Sequence, residues 1–152
     1  MYLQLTKARY WLVSLVASVL FTACHVVLIG AYDEHVDQSI QQISTEVSTL
    51  MVKLEKNIDD NLPAQNNYDN YREVYVNLYG EVENLKIRTM ALPKYSKITQ
   101  MVVLLNDNIH KLEALHKIGF TNKQLLETTK TLIETSLQAM LSAQNALKRE
   151  SV

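Results

Sequence analysis

The sequence predicts an all-α protein: an N-terminal transmembrane helix that continues into an antiparallel (up-down-up-down) four-helix bundle. Three observations carry this. Only three glycines and two prolines occur in 152 residues, too few for the many tight turns of a β-rich fold. Four segments repeat apolar residues at alternating steps of four and three, which places them on one stripe of a helix. Ahead of these segments, Tyr10 to Tyr32 is a run of 23 residues without Asp, Glu, Lys or Arg.

Residues 1–9 form a short leader with Lys7 and Arg9. The run over 10–32, as a helix, rises about 35 Å and covers a hydrocarbon core of about 30 Å. Tyr10 and Trp11 at one end and Tyr32 at the other suit the two membrane interfaces. Ser14, Ser18 and Thr22 bond back to helix carbonyls, so they cost little in lipid. A cleaved signal peptide needs a shorter apolar stretch and a small-x-small site, and Ile29-Gly30-Ala31 matches that poorly. Leu20-Phe21-Thr22-Ala23-Cys24 resembles a bacterial lipobox but has Phe21 where Leu is usual, and the apolar run continues past Cys24. The run therefore reads as an uncleaved signal-anchor, with cleavage or lipidation at Cys24 as the alternatives. Lys7 and Arg9 precede it, Asp33 and Glu34 follow, and the next basic residue is Lys53. The positive-inside rule then puts the N-terminus in the cytoplasm of a single-pass inner-membrane protein, with residues 33–152 periplasmic or extracellular.

No Pro or Gly separates Tyr32 from Val36, so the membrane helix is expected to run on into the first bundle helix, about residues 33–60. Its stripe is Val36, Ile40, Ile43, Val47, Leu50 and Leu54. The second helix, about 63–91, starts near Pro63 and carries Tyr68, Tyr71, Tyr75, Leu78, Val82 and Leu85. Gly80 within it marks a close helix approach or a local kink. The third, about 94–118, follows Pro93 and carries Tyr95, Ile98, Val102, Leu105, Ile109 and Leu112. Gly119 after His116 and Lys117 reads as a left-handed helix terminator, and Thr121 with Gln124 as a capping box opening the fourth helix, about 122–149. The fourth stripe is weaker: Leu126, Thr129, Ile133, Ser136, Met140, Ala143 and Leu147. Short links favour antiparallel neighbours.

Composition narrows the function. Residues 33–152 hold 13 of the 15 basic residues and all 16 acidic ones, a net of −3, which disfavours a nucleic-acid partner. Cys24 is the single cysteine, so no intrachain disulfide or multi-thiolate metal site forms. Glu113-Ala-Leu-His116 matches the Glu-x-x-His half of a di-iron site once. Without a second pair it reads as a solvent-facing acid beside a boundary histidine. No phosphate-binding loop, dinucleotide fingerprint or nucleophile elbow is present. The expectation is no enzyme, no cofactor and no metal. Tyr71, Tyr75 and Tyr79, with Tyr68, read as a half-buried aromatic layer or as a partner-contact surface, since tyrosine is enriched at interfaces.

A membrane helix leading into a four-helix extracytoplasmic bundle resembles the sensor domain of chemoreceptors and some histidine kinases. It departs from them in having no second membrane helix and no cytoplasmic output module. Length and single anchor also resemble phage inner-membrane spanins, which have a longer coiled coil. The favoured reading is a membrane-anchored protein-interaction or accessory module of an envelope complex, with a homo-oligomer compatible. A small-molecule sensor and a phage-type lysis or exclusion factor are the alternatives.

Overall fold

A computed structural model describes residues 30–120 and 123–151. Among these, the chain is all-helical. Four long helices, α1 (Glu34–Asp59), α2 (Arg72–Ala91), α3 (Ser96–Ile118) and α4 (Lys123–Glu150), pack as a closed ring in which each touches its sequence neighbours and α4 returns to α1. Cross-helix pairs fix the directions. Asp33 meets Arg88 while Asn57 meets Tyr71, so α1 and α2 run antiparallel. Tyr79 of α2 meets Glu113 of α3, and Lys130 of α4 meets Glu55 of α1, in the same sense.

The first three stripes form the core as their spacing requires. All six α1 positions are buried, joined by Met51. So are Leu78, Val82 and Leu85 of α2 and all six of the third segment. Burying one such aliphatic side chain stabilises the fold by about 1.5–3 kcal/mol before the entropy of ordering is subtracted.

The fourth stripe differs from the expected one. Leu137 and Gln144 face the core, not Ser136 and Ala143. Shifting two positions by one residue keeps the four-three rhythm and puts a leucine where a serine was expected. The exchange also buries a glutamine. Gln144 has no exposed surface, and its amide lies beside the Tyr95 hydroxyl without a hydrogen bond of normal geometry.

The expected unbroken helix through Tyr32 into Val36 is interrupted. Residues 30–33 are non-helical, and Asp33, in an extended conformation, caps α1 by accepting the Val36 N–H at 2.9 Å. Aspartate at this position satisfies one of the orphan donors of the first turn and so starts a helix instead of continuing one. The expected end of the apolar segment at residue 32 is corrected accordingly. The rest of that segment, residues 10–29, lies outside the described residues, as does Thr121 of the expected capping box. No helix among the described residues is long and apolar enough to cross a membrane.

The second helix starts at Arg72, nine residues later than expected. Pro63–Asn66 and Tyr68–Asn70 are short 3-10 turns instead. The cause is asparagine. The Asn67 side chain accepts the Asp69 N–H, the Asn66 amide donates to the Leu54 carbonyl, and the Asn70 amide reaches the Gln65 carbonyl. Such local bonds offer the backbone an alternative to the helix. Gly80 faces open space, with nothing within 4 Å of where a Cβ would stand, so no neighbouring helix approaches there. Gly119 has a positive φ of 81°, but its ψ of 140° lies outside the left-handed helical region, and its N–H bonds to the His116 carbonyl.

Candidate functional site

The two ends of the bundle differ in chemistry. The end holding the α1–α2 and α3–α4 connections gathers an aromatic and polar cluster. Tyr68 lies on the second 3-10 turn, Tyr71 caps α2, and Tyr75 and Tyr79 follow at helical spacing on α2. Facing them, α3 presents His110, Glu113 and His116.

Glu113 is the hub. It accepts hydrogen bonds from the Tyr68 hydroxyl at 2.6 Å and the Tyr79 hydroxyl at 2.8 Å, and pairs with Lys117 at 2.9 Å. Burial alone pushes its carboxyl upward, but these donors outweigh that and hold it below the usual glutamate range. Lys117 also lies over the Tyr68 ring, 4.9 Å from its centre.

His116 is 2 % exposed and bridges two elements. Its Nε2 lies 2.9 Å from the Asn66 carbonyl and its Nδ1 2.9 Å from the Tyr75 hydroxyl. A carbonyl can only accept, so the proton sits on Nε2, and Nδ1 accepts from Tyr75. The rings of Tyr68, Tyr71, Tyr75 and Phe120 surround it with centroids 5.1–5.9 Å away. Burial holds its pKa below that of a free histidine. Burial likewise pushes the Tyr75 and Tyr79 hydroxyls far up, so both remain neutral phenols.

Of the three tyrosines expected at a partner surface, Tyr75 has no exposed area and Tyr71 has 8 %. Both turn inward, and Tyr71 receives a hydrogen bond from Asn57. Tyr79 is half-buried and stacks on His110 at 4.4 Å. The aromatic-layer reading therefore describes Tyr71 and Tyr75, whose burial leaves no face for a partner. Glu113 is mostly shielded, not solvent-facing. Glu113 holds Tyr68 and Tyr79 while His116 holds Tyr75, and no group of three or more His, Cys, Asp or Glu among the described residues could hold a metal ion. His116 was legible as a core residue: it lies four residues after Leu112 and extends the α3 stripe by one step.

The hydroxyls of Tyr68, Tyr75 and Tyr79, the Glu113 carboxylate and both His116 ring nitrogens are thus committed to neighbours, and the chemistry is that of a clasp. Beside it, at the surface of the tip, Ile58, Leu62, Pro63 and Phe120 line a cleft of about 280 Å³ with Asn61 and Asn66 at its rim. Ile118, 77 % exposed, stands next to it in sequence at the end of α3.

Fold and site together define a four-helix bundle closed at one end by a tyrosine–histidine–glutamate clasp. No known protein family, no curated protein and no solved structure matches the chain.

Proposed function

We propose that this protein is a single-pass membrane-anchored interaction module, an accessory component of an envelope complex, with its bundle on the extracytoplasmic side. The observation that carries this reading is the tip. Leu62, Ile118 and Phe120 leave apolar surface around an open cleft, at the end of the bundle farthest from Gly30, where the apolar run joins. Apolar surface rimmed by polar side chains is characteristic of protein contacts. The contact surface of this proposal is therefore the tip and Tyr79, with Tyr71 and Tyr75 holding it from within. With residues 30–32 in the bundle, the run over 10–29 as a helix still spans about 30 Å, the thickness of a hydrocarbon core.

Among the described residues the side chains of the stripes fill the space between the helices, and the polar cluster at the tip is held by its own hydrogen bonds. Both facts favour a binding surface over an interhelical ligand pocket or a catalytic centre. Anchoring holds such a surface near other membrane components and raises its effective concentration there.

In-cell photocrosslinking tests this. A probe at Ile118 is expected to give one discrete product with another envelope protein, abolished by Leu62→Asp. A probe at Val76, on the flank of α2, should give none. Equal, diffuse products from both positions would remove the tip from consideration.

A further inference from the structure

The opposite end of the bundle, where the apolar run joins, has its own surface. We infer that this end rests on the headgroups of anionic phospholipids, with the turn between α2 and α3 directed at the membrane; this rests on the anchor reading above.

The first argument is where the chain enters. Gly30 is buried, and its N–H donates to the Lys94 carbonyl at 3.2 Å. A Cβ at residue 30 would stand 2.5 Å from the Pro93 carbonyl oxygen and from the Tyr95 ring, so only glycine fits. The Tyr95 hydroxyl donates to the Ala31 carbonyl at 2.6 Å. Residues 30–31 are thereby strapped to the α2–α3 turn. If residues 10–29 are in the bilayer, that turn cannot be far from its surface, because no free linker separates them.

The second argument is charge. Lys94 on the turn, Lys97 in the first turn of α3, and Lys148 and Arg149 at the end of α4 are exposed. Lys94, at a φ of 62°, sits in a left-handed bend at the tip of the turn. None of the four has a carboxylate within ion-pair distance among the described residues, and Lys148 lies over the Tyr32 ring at 5.4 Å. The acids of this end are placed differently. Asp33 is neutralised by both guanidinium nitrogens of Arg88, at 2.9 and 2.7 Å, and Asp37 accepts the Tyr32 hydroxyl. Glu34 is held by Gln38 in the first turn of α1, where a carboxylate suits the helix dipole. Glu34 and Glu150 are both exposed, Glu150 next to Lys148 and Arg149 in sequence. Met90, 66 % exposed on the last turn of α2, adds an apolar side chain beside the basic turn.

Each lysine or arginine close to an anionic membrane strengthens the association about fivefold, within a screening length of the surface. Four together bias the bundle toward standing end-on, with its tip held away from the bilayer.

The full chain, reconstituted in phosphatidylcholine nanodiscs with or without phosphatidylglycerol, tests this. An environment-sensitive fluorophore is attached at Ser96→Cys or, at the far tip, at Gln65→Cys, both in a Cys24→Ser background. Phosphatidylglycerol should blue-shift the Ser96 probe and leave the Gln65 probe unchanged. The shift should reverse in high salt and disappear in Lys94→Glu/Lys97→Glu. An unchanged Ser96 probe, in a chain that resists alkaline extraction, overturns the headgroup contact and leaves the anchor standing. A chain that alkali strips from the membrane overturns the anchor, and this orientation with it.

Discussion

The two ends of the bundle are closed by different physics. At the tip, neutral phenols and one histidine converge on a single carboxylate and a loop carbonyl, and aromatic rings fill the volume. At the entry end, an extended strap is held by backbone bonds, a bidentate ion pair and one glycine that no other residue can replace. The tip depends on packing and on protonation near neutrality. The entry depends on close approach and on a carboxylate that Arg88 holds below its usual pKa. The comparison teaches that closure of a helical bundle is a local property, and each end can fail alone.

Removing volume from the tip should have the largest effect. Tyr75→Ala deletes a fully buried ring and leaves His116 Nδ1 without its donor. A loss of about 3–5 kcal/mol is expected, as for other buried aromatic truncations. Chemical denaturation of the full chain in detergent measures it, and hydrogen exchange should show residues 61–71 opening first. If exchange rises as much around residues 92–95, the two ends are coupled and the contrast drawn above is wrong.

The entry end is probed by Gly30→Ala. Its Cβ meets backbone and a buried ring, and neither can yield without moving the strap. Overpacking of this kind costs about 1–3 kcal/mol. Exchange should increase at residues 30–33 and 92–95 while the tip stays protected. A neutral result would mean that the strap has a second way to pack.

How much of this contrast the sequence carried depends on the element. The α1 and α3 stripes were legible because four-three spacing is a geometric consequence of the helix, and nothing competes with it there. The Asn66–Asn70 stretch was misread because an apolar stripe through Tyr68 and Tyr71 does continue, while the asparagine side chains capture the backbone. Asp33 offered a readable start signal, an N-cap aspartate with an acid after it, but the charge-free run before it drew the helix through. Glu113 and His116 match half of a metal motif and otherwise read as a solvent-facing acid beside a boundary histidine. Their partners, Tyr68 and Asn66, lie 45 and 50 residues away, and no local pattern reports contacts at that range.

Acid should separate the ends without mutation. Burial holds His116 below the unfolded value of about 6.5, so the unfolded chain takes up the proton first as pH falls. The stability tied to neutral His116 is therefore complete above pH 6.5 and is lost as pH falls through the folded pKa. Glu113 on the same helix opposes this loss, and Lys117 favours it; Tyr68, Tyr71 and Tyr75 stay neutral throughout. Asp33 has a lowered pKa, so its contribution persists until pH falls below the ordinary carboxylate range. Between about pH 6.5 and 5, hydrogen exchange should rise at residues 61–71 and remain unchanged at residues 30–33. His116→Gln keeps a donor for Asn66 and an acceptor for Tyr75 but cannot titrate, and it should abolish the change. Acid loosening that persists in His116→Gln would assign the effect to another group.

The smallest expected effect lies between the ends, on the α1–α2 seam, and has the opposite sign. Glu46 and Glu81 face each other there. Burial raises the Glu46 carboxyl, and the neighbouring Glu81 raises it further. Glu81 takes a hydrogen bond from Gln42 on one oxygen, while its buried Oε2 has no donor unless Glu46 is protonated. A raised carboxyl means that the folded chain binds the proton more tightly than the unfolded one, so this seam stabilises in acid and weakens as pH rises through the folded pKa. Glu46→Gln supplies a permanent amide donor. Glu46 is only partly buried, so solvent still screens much of the repulsion, and the gain at pH 7 should be about a few tenths of a kcal/mol. The melting temperature of the variant minus that of the parent should be positive at pH 7 and shrink toward zero near pH 4, where ordinary glutamates protonate. A difference that is zero or negative at pH 7 would show that the two carboxylates do not share a proton.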